Sequence, residues 1–266
     1  MNSELPRTIQ RRPATLRQRL MSSPLAQGIK RAAYGRFAKL QHDTQGMLSP
    51  AVYKKIYERS RDGPDLDTIE VGGASGSASI AFAWGKIDSG KTSRHIVVEK
   101  MEGGTRRRYG GFEDNLDRFN RHLAEFGAAD PVVLFPHHLS EQNSPELVGL
   151  VRTGRIAGFM SDADGRIDRD FRLFLPILHE DGFIIVDDYH PNRSWKEALT
   201  FRLLNRFIEW GLFVLEEKRS GTAFGHSPHG ADVSRIDPIS CADIIESVRV
   251  DFGIERDSEI ARLYLR

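Results

Sequence analysis

One cysteine, Cys241, stands in 266 residues, so an intrachain disulfide and a thiolate metal cluster are both excluded. A reducing compartment, the cytoplasm, is expected over secretion, with Cys241 as a small core residue. Long apolar runs are also missing: none approaches the roughly eighteen residues of a membrane span. Net charge is nearly missing too, at +1, which leaves no global field to draw the chain to nucleic acid. Internal repeats and low-complexity tracts are absent. What is present, 39% hydrophobic and 28% charged residues, suits one well-buried α/β core with an extra segment.

The small net charge hides an uneven distribution. Residues 1–40 carry Arg7, Arg11, Arg12, Arg17, Arg19, Lys30, Arg31, Arg36 and Lys39 against Glu4 alone. An organelle transit peptide is one reading of such a start, but Pro6 and Pro13 interrupt a continuous amphipathic helix and no signal-peptide core appears. A basic arm, gripping a neighbouring subunit of a homo-oligomer or a phosphorylated acceptor, is the other. Residues 1–62 are therefore divided off as arm and helical cover, and 63–266 as the main domain.

Ser49-Pro50 with Val52, Ile56 and Tyr57 predicts a helix running to about Ser60, broken by Arg61-Asp62-Gly63-Pro64. Strands are expected at 66–71, 95–99, 131–135, 156–161 and 183–186, each bounded by turn residues. Helices are expected from about 76, over 112–126, from Ser144-Pro145 to about Gly154, over 168–178 and over about 193–210. Leu212–Leu215 and Thr222–Phe224 then flank Arg219-Ser220-Gly221 as a closing hairpin. Strands separated by helices imply a parallel sheet, and the pattern predicts an α/β, Rossmann-like fold of seven mostly parallel strands with an antiparallel edge hairpin. The ligand site of such a sheet lies at the carboxyl ends of its strands.

Chemistry-bearing residues cluster at those ends. The first strand runs into Glu70-Val71-Gly72-Gly73-Ala74-Ser75-Gly76, where glycines allow a ligand close to the backbone. Counting from Gly72, the first, third and sixth places hold glycine, alanine and serine, which departs from the dinucleotide fingerprint and weakens a nicotinamide oxidoreductase reading. The second strand ends in Glu99, whose two oxygens suit the paired hydroxyls of a ribose. His137 and His138 follow the third strand, at the expected adenine edge. The fourth and fifth strands end in Ser161-Asp162-Ala163-Asp164-Gly165 and Val186-Asp187-Asp188-Tyr189. Carboxylates converging there would repel one another unless a cation or protons intervened, and hard oxygen donors favour magnesium. Asp162, Asp187 and Asp188 are its candidate ligands. The structural alternative has Asp188 capping the next helix and the other two hydrogen-bonded in loops.

An acidic residue before a glycine-rich turn resembles motif I of class I methyltransferases, where the turn lies beside the amino-acid part of S-adenosylmethionine (SAM). Together EVGGASG, VVEK, SDADG and FIIVDDYH resemble the metal-dependent sugar O-methyltransferases of the macrocin and mycinamicin type, over roughly residues 48–250. The resemblance implies SAM as cofactor, magnesium, and a sugar hydroxyl, as in a glycoside or nucleotide sugar, as acceptor. Cofactor contacts are then expected from Glu70, Gly72, Gly73, Ser75, Glu99 and His138. The proton acceptor is Asp162 or His190, both beside the expected metal. A metal-independent methyltransferase and a module docking RNA or an anionic membrane through its basic arm are the competing readings; the latter lacks the aromatic-basic interleaving of base-stacking proteins.

Overall fold

The structure is a computed structural model that describes residues 24–102, 111–258 and 260–261, with side chains from residue 34 onward. Arg7 to Arg19 of the basic arm lie outside the described residues. Helix α1 (Pro24–Asp43) bends at Tyr34, whose φ of −125° and ψ of 15° are not helical. Helix α2 (Pro50–Asp62) follows, with proline in its first turn as Ser49-Pro50 predicts.

The chain then alternates: β1 (Asp67–Val71), α3 (Ser77–Asp88), β2 (His95–Val98), α4 (Phe112–Glu125), β3 (Val132–Phe135), α5 (Ser144–Gly149), β4 (Ile156–Ser161), α6 (Ile167–Phe174), β5 (Leu178–Val186) and α7 (Trp195–Glu209). A hairpin of β6 (Val214–Arg219) and β7 (Thr222–His226) and a last helix, α8 (Pro238–Asp251), complete it. The seven strands form one sheet in the order β3-β2-β1-β4-β5-β7-β6. The first five are parallel, and β7 joins β5 antiparallel.

Side-chain parity divides the core. Ile69, Val71, Ile96, Val98, Phe159 and Ile184 face one way, against Leu147 of α5, Phe171 of α6, Leu203 of α7 and Cys241 of α8. Val97, Met160, Ile185 and Phe224 face the other way, against Leu40, Ile56, Phe82 and Phe119 of α1 to α4. With both faces covered, β1, β2 and β4 are buried along their whole length. The polar residues in β1 and β2, Asp67, Thr68, Glu70 and His95, are buried with hydrogen-bond partners.

Several expected boundaries move. The helix expected over 168–178 stops at Phe174, because Pro176 has no N–H to continue it, and a 3-10 turn over Leu175–Ile177 leads into β5. That strand starts at Leu178, five residues before the apolar run that announced it. The first hairpin strand is Val214–Arg219 rather than Leu212–Leu215: Leu212 and Phe213 are buried, and the Leu212 N–H still closes the end of α7 onto the Phe207 carbonyl. The hairpin is also not terminal. Helix α8 follows it, started by Asp237, whose carboxylate accepts from the Ile239 and Ser240 N–H groups ahead of Pro238.

Strand register sets the level of the strand ends. Val71 of β1 lies opposite Val98 of β2 and Ser161 of β4, and Ser161 lies opposite Val186 of β5. The residues that leave the sheet next are Gly72, Glu99, Asp162 and Asp187. Each still makes a ladder-type bond to the neighbouring strand: Gly72 to Val98, Asp162 to Val71, Asp187 to Ser161, at 2.9, 2.9 and 3.0 Å, and Glu99 to Phe135 at 3.2 Å. The chain returns across the sheet between β3 and β4, so β1 and β4 flank the switch point, where a crevice opens.

Candidate active site

A cavity of about 760 Å³ occupies that crevice. Its floor is the set of strand ends just described. Its other walls come from the α1–α2 linker (Met47, Leu48, Ser49), the hairpin turn (Ser220, Gly221) and the first turn of α7 with the loop before it (His190, Arg193, Lys196). Part of the segment before residue 63 thus lines the cavity.

On the β1–β2 side, Gly72 has a φ of +102°, and a Cβ there would lie 2.7 Å from the Asp162 carbonyl oxygen. Glycine is required because the turn after β1 passes directly over the turn after β4. Glu99 accepts a hydrogen bond from the Ala74 N–H at 2.8 Å through one oxygen, and its other oxygen lies 3.4 Å from the Met101 N–H. It lines the cavity together with Gly72 and Ala74. His138 lines the same space, half-exposed, with Nε2 3.5 Å from an Asp164 oxygen.

Three residues expected to touch a cofactor do not line this cavity. Parity turns Glu70 toward α3, where its buried carboxylate accepts from Ser79 Oγ at 2.6 Å and meets His95 Nε2 at 2.9 Å. Gly73 is needed for packing: a Cβ would fall 2.3 Å from a Val97 methyl. Ser75 faces a separate cleft of about 300 Å³ lined by Arg118, Arg121 and His122.

On the β4–β5 side, Asp162, Asp187 and Asp188 each present an oxygen within 4.8 Å of the others'. Adjacent register delivers the first two. Asp188 reaches the same point by a left-handed backbone, φ +58°, a conformation that aspartate tolerates better than most residues. Thr222 Oγ1 donates to Asp187 at 2.5 Å, and the Tyr189 N–H donates to the Gly221 carbonyl at 2.7 Å, which locks the strand end to the hairpin turn. Ser194, not Asp188, caps α7, accepting from the Glu197 N–H, so the capping alternative for Asp188 fails. Burial raises the pKa of Asp162 well above the usual carboxylate range, with the Asp187 charge adding to it; burial and the Asp188 charge raise that of Asp187. Three hard oxygen donors without thiolate or imidazole fit a divalent cation of the magnesium type.

One member of the group was not foreseen. Lys196, in the first turn of α7, places Nζ 2.6 Å from Asp188 and 3.4 Å from a carboxylate oxygen of Asp162, and donates to the Asp162 carbonyl at 3.1 Å. Burial alone would lower its pKa, but the charges of Asp162 and Asp188 outweigh burial and raise it. No sequence motif marks this lysine, which lies eight residues beyond Asp188 and enters the site only because α7 doubles back. His190 also lines the cavity, and its Nδ1 is buried without a hydrogen-bond partner among the described residues.

No family model matches the chain, and no curated protein matches it. Solved structures do. A methyltransferase from Podospora anserina bound to S-adenosylhomocysteine (SAH) superposes with a TM-score of 0.53 at 13% identity, over 85% of this chain and 99% of that one. An O-methyltransferase from Bacillus cereus in complex with SAH gives 0.54 at 11% identity, over 77% and 97%. The O-methyltransferase TomG from Streptomyces achromogenes, in complex with SAM and involved in tomaymycin synthesis, gives 0.51 at 16%, over 74% and 89%. At such identities the likeness concerns the fold, which is the Rossmann-like fold of class I methyltransferases.

Proposed function

We propose that the chain is a SAM-dependent O-methyltransferase whose acceptor is the hydroxyl group of a small molecule, with magnesium held by Asp162, Asp187 and Asp188. One observation carries the reading. A single cavity on this fold has the Gly72 turn and Glu99 at one side and the acidic trio at the other, where a donor and an acceptor would meet. Glu99 would hold the ribose hydroxyls, the turn around Gly72 and Ala74 would receive the amino-acid end of SAM, and His138 would border the adenine. The sugar character of the acceptor rests on the resemblance of FIIVDDYH and SDADG to sugar O-methyltransferases.

In the reaction, the acceptor oxygen attacks the S-methyl carbon in line with the departing sulfur. The O–C bond forms as the C–S electron pair returns to sulfur, giving SAH, and the hydroxyl proton passes to His190 or Asp162. His190 is favoured because it lines the cavity while Asp162 already faces Lys196. Magnesium, when bound, would lower the pKa of the acceptor hydroxyl. Leu48, Ser49 and the Ser220-Gly221 turn would border the acceptor.

Calorimetry should show SAH binding at about −8 kcal/mol, a low-micromolar dissociation constant. Chelator should abolish methyl transfer to a sugar hydroxyl, added magnesium should restore it, and Asp187→Asn should cut turnover by about a hundredfold or more while leaving SAH binding intact. Absence of SAH binding would remove the methyltransferase reading; full activity in chelator would remove the metal alone.

A further inference from the structure

Lys196 sits where a helix disfavours it. The first turn of α7 carries the positive end of the helix dipole, so an ammonium group there is repelled by its own helix. Four-fifths of its side chain is also withdrawn from water, which a lysine avoids unless a counter-charge meets it. Both costs are offset at one place, the acidic trio, where Nζ reaches Asp188 at 2.6 Å and the side chain and carbonyl of Asp162 at 3.4 and 3.1 Å.

Resting on the metal reading above, we propose that Lys196 is the resident cation of the acidic trio and that a divalent ion binds there only by displacing its ammonium group from Asp162 and Asp188. Two consequences follow from charge. The trio keeps its converged arrangement without metal, because one positive charge already bridges two of its carboxylates. Metal affinity is lower than three carboxylates alone would give, because an incoming ion competes for oxygens already engaged and meets like charge at close range. The remaining exposure of the lysine, 21% of its side chain, gives the ammonium a way out toward the cavity.

Manganese is the probe, titrated calorimetrically into the full chain without SAM or acceptor, so that no turnover is read. Lys196→Met, close in shape and without charge, should bind manganese about tenfold or more tightly than the original chain. Lys196→Arg should stay near the original affinity. Adding Asp188→Asn to Lys196→Met should remove the gain, which locates it in the trio. Thermal unfolding of each variant reports folding, and Lys196→Gln provides a second uncharged side chain if the methionine variant does not fold. Equal affinity in the original chain and the uncharged variants overturns the proposal, and so does the absence of manganese binding in all of them. Binding in Lys196→Met but none in the original chain upholds the proposal while removing magnesium from the reaction proposed above. Tight binding unaffected by Lys196 leaves that reaction standing and discards the competition.

Discussion

Two groups of three aspartates lie close together and are satisfied differently. Among the described residues, Asp162, Asp187 and Asp188 at the cavity have one ammonium group close to them, that of Lys196, which pairs with Asp162 and Asp188. Asp164, Asp168 and Asp170, a few residues beyond Asp162, share two guanidinium groups in fork geometry. Arg166 donates twice to Asp168, at 2.9 and 3.0 Å, and Arg169 joins Asp164 to Asp170 with bonds of 2.8 to 3.2 Å. Ser161 Oγ also donates to Asp170. Burial alone would raise Asp164, yet contacts from His138 and Arg169 hold it well below the usual range, whereas Asp162 is held well above it. Burial raises Asp170 as well, but its oxygens are occupied. Burial therefore does not separate the groups; satisfaction does. The second group is saturated with fixed donors and stiffens the turn that carries Asp162, while the first, among the described residues, has fewer positive charges than carboxylates beside an open cavity, the condition in which a ligand cation is favoured.

The largest expected effect breaks the saturated group. Arg169→Ala would strand two buried carboxylates and should cost about 3 kcal/mol or more in urea unfolding. A loss below roughly 0.5 kcal/mol, the size of an ordinary surface change, would mean that the network is ornamental and the contrast false.

Next comes the far side of the cavity. Glu99→Ala should weaken SAH binding about tenfold or more, the cost of losing charge-assisted hydrogen bonds to a ribose, with little change in stability. Calorimetry that returns the original affinity would take Glu99 out of the cofactor site and leave its bond to Ala74 as its role.

The smallest effect is the most diagnostic, because Asp162 and Asp164, one from each group, should respond to pH with opposite sign. The native pKa of Asp162 is raised above 3.8, so its contribution to stability is complete below that value and is lost as pH rises through the native pKa. Asp162→Asn removes this loss, and in chelator the variant should gain on the original chain as pH rises from about 4 to 7. The native pKa of Asp164 is lowered, so its contribution is present above 3.8 and lost as pH falls through the native value. Asp164→Asn should trail the original chain at neutral pH and draw level in acid. Parallel pH curves for the two variants, measured by thermal unfolding, would erase the distinction.

Much of the fold is legible in the chain. Largely apolar runs at 95–98 and 156–161 and a short mixed one at 67–71, each followed by helix-forming sequence, leave little but a parallel sheet, since short connections between strands would be hairpins. Helix α8 was legible and overlooked: Asp237-Pro238 is a cap with proline in the first turn, the same signature that revealed α2 at Ser49-Pro50. Helix α1 gives less to read, because its apolar periodicity is weak and broken at Tyr34.

The site divides along the same line. Composition and alternation determined by themselves that acidic residues stand at the ends of neighbouring strands, because period and turn chemistry are local properties of the chain. Only the tertiary structure decided which of them meet. Strand register, a long-range property, brings Asp162 level with Asp187 and makes Gly72 obligatory under the Asp162 carbonyl. Parity within β1 turned Glu70 away into the helix layer, although it stands beside the same turn. The path of α7 back across the sheet brought in Lys196, among the described residues the one cation within ion-pair distance of the carboxylates, which no spacing along the sequence could place there.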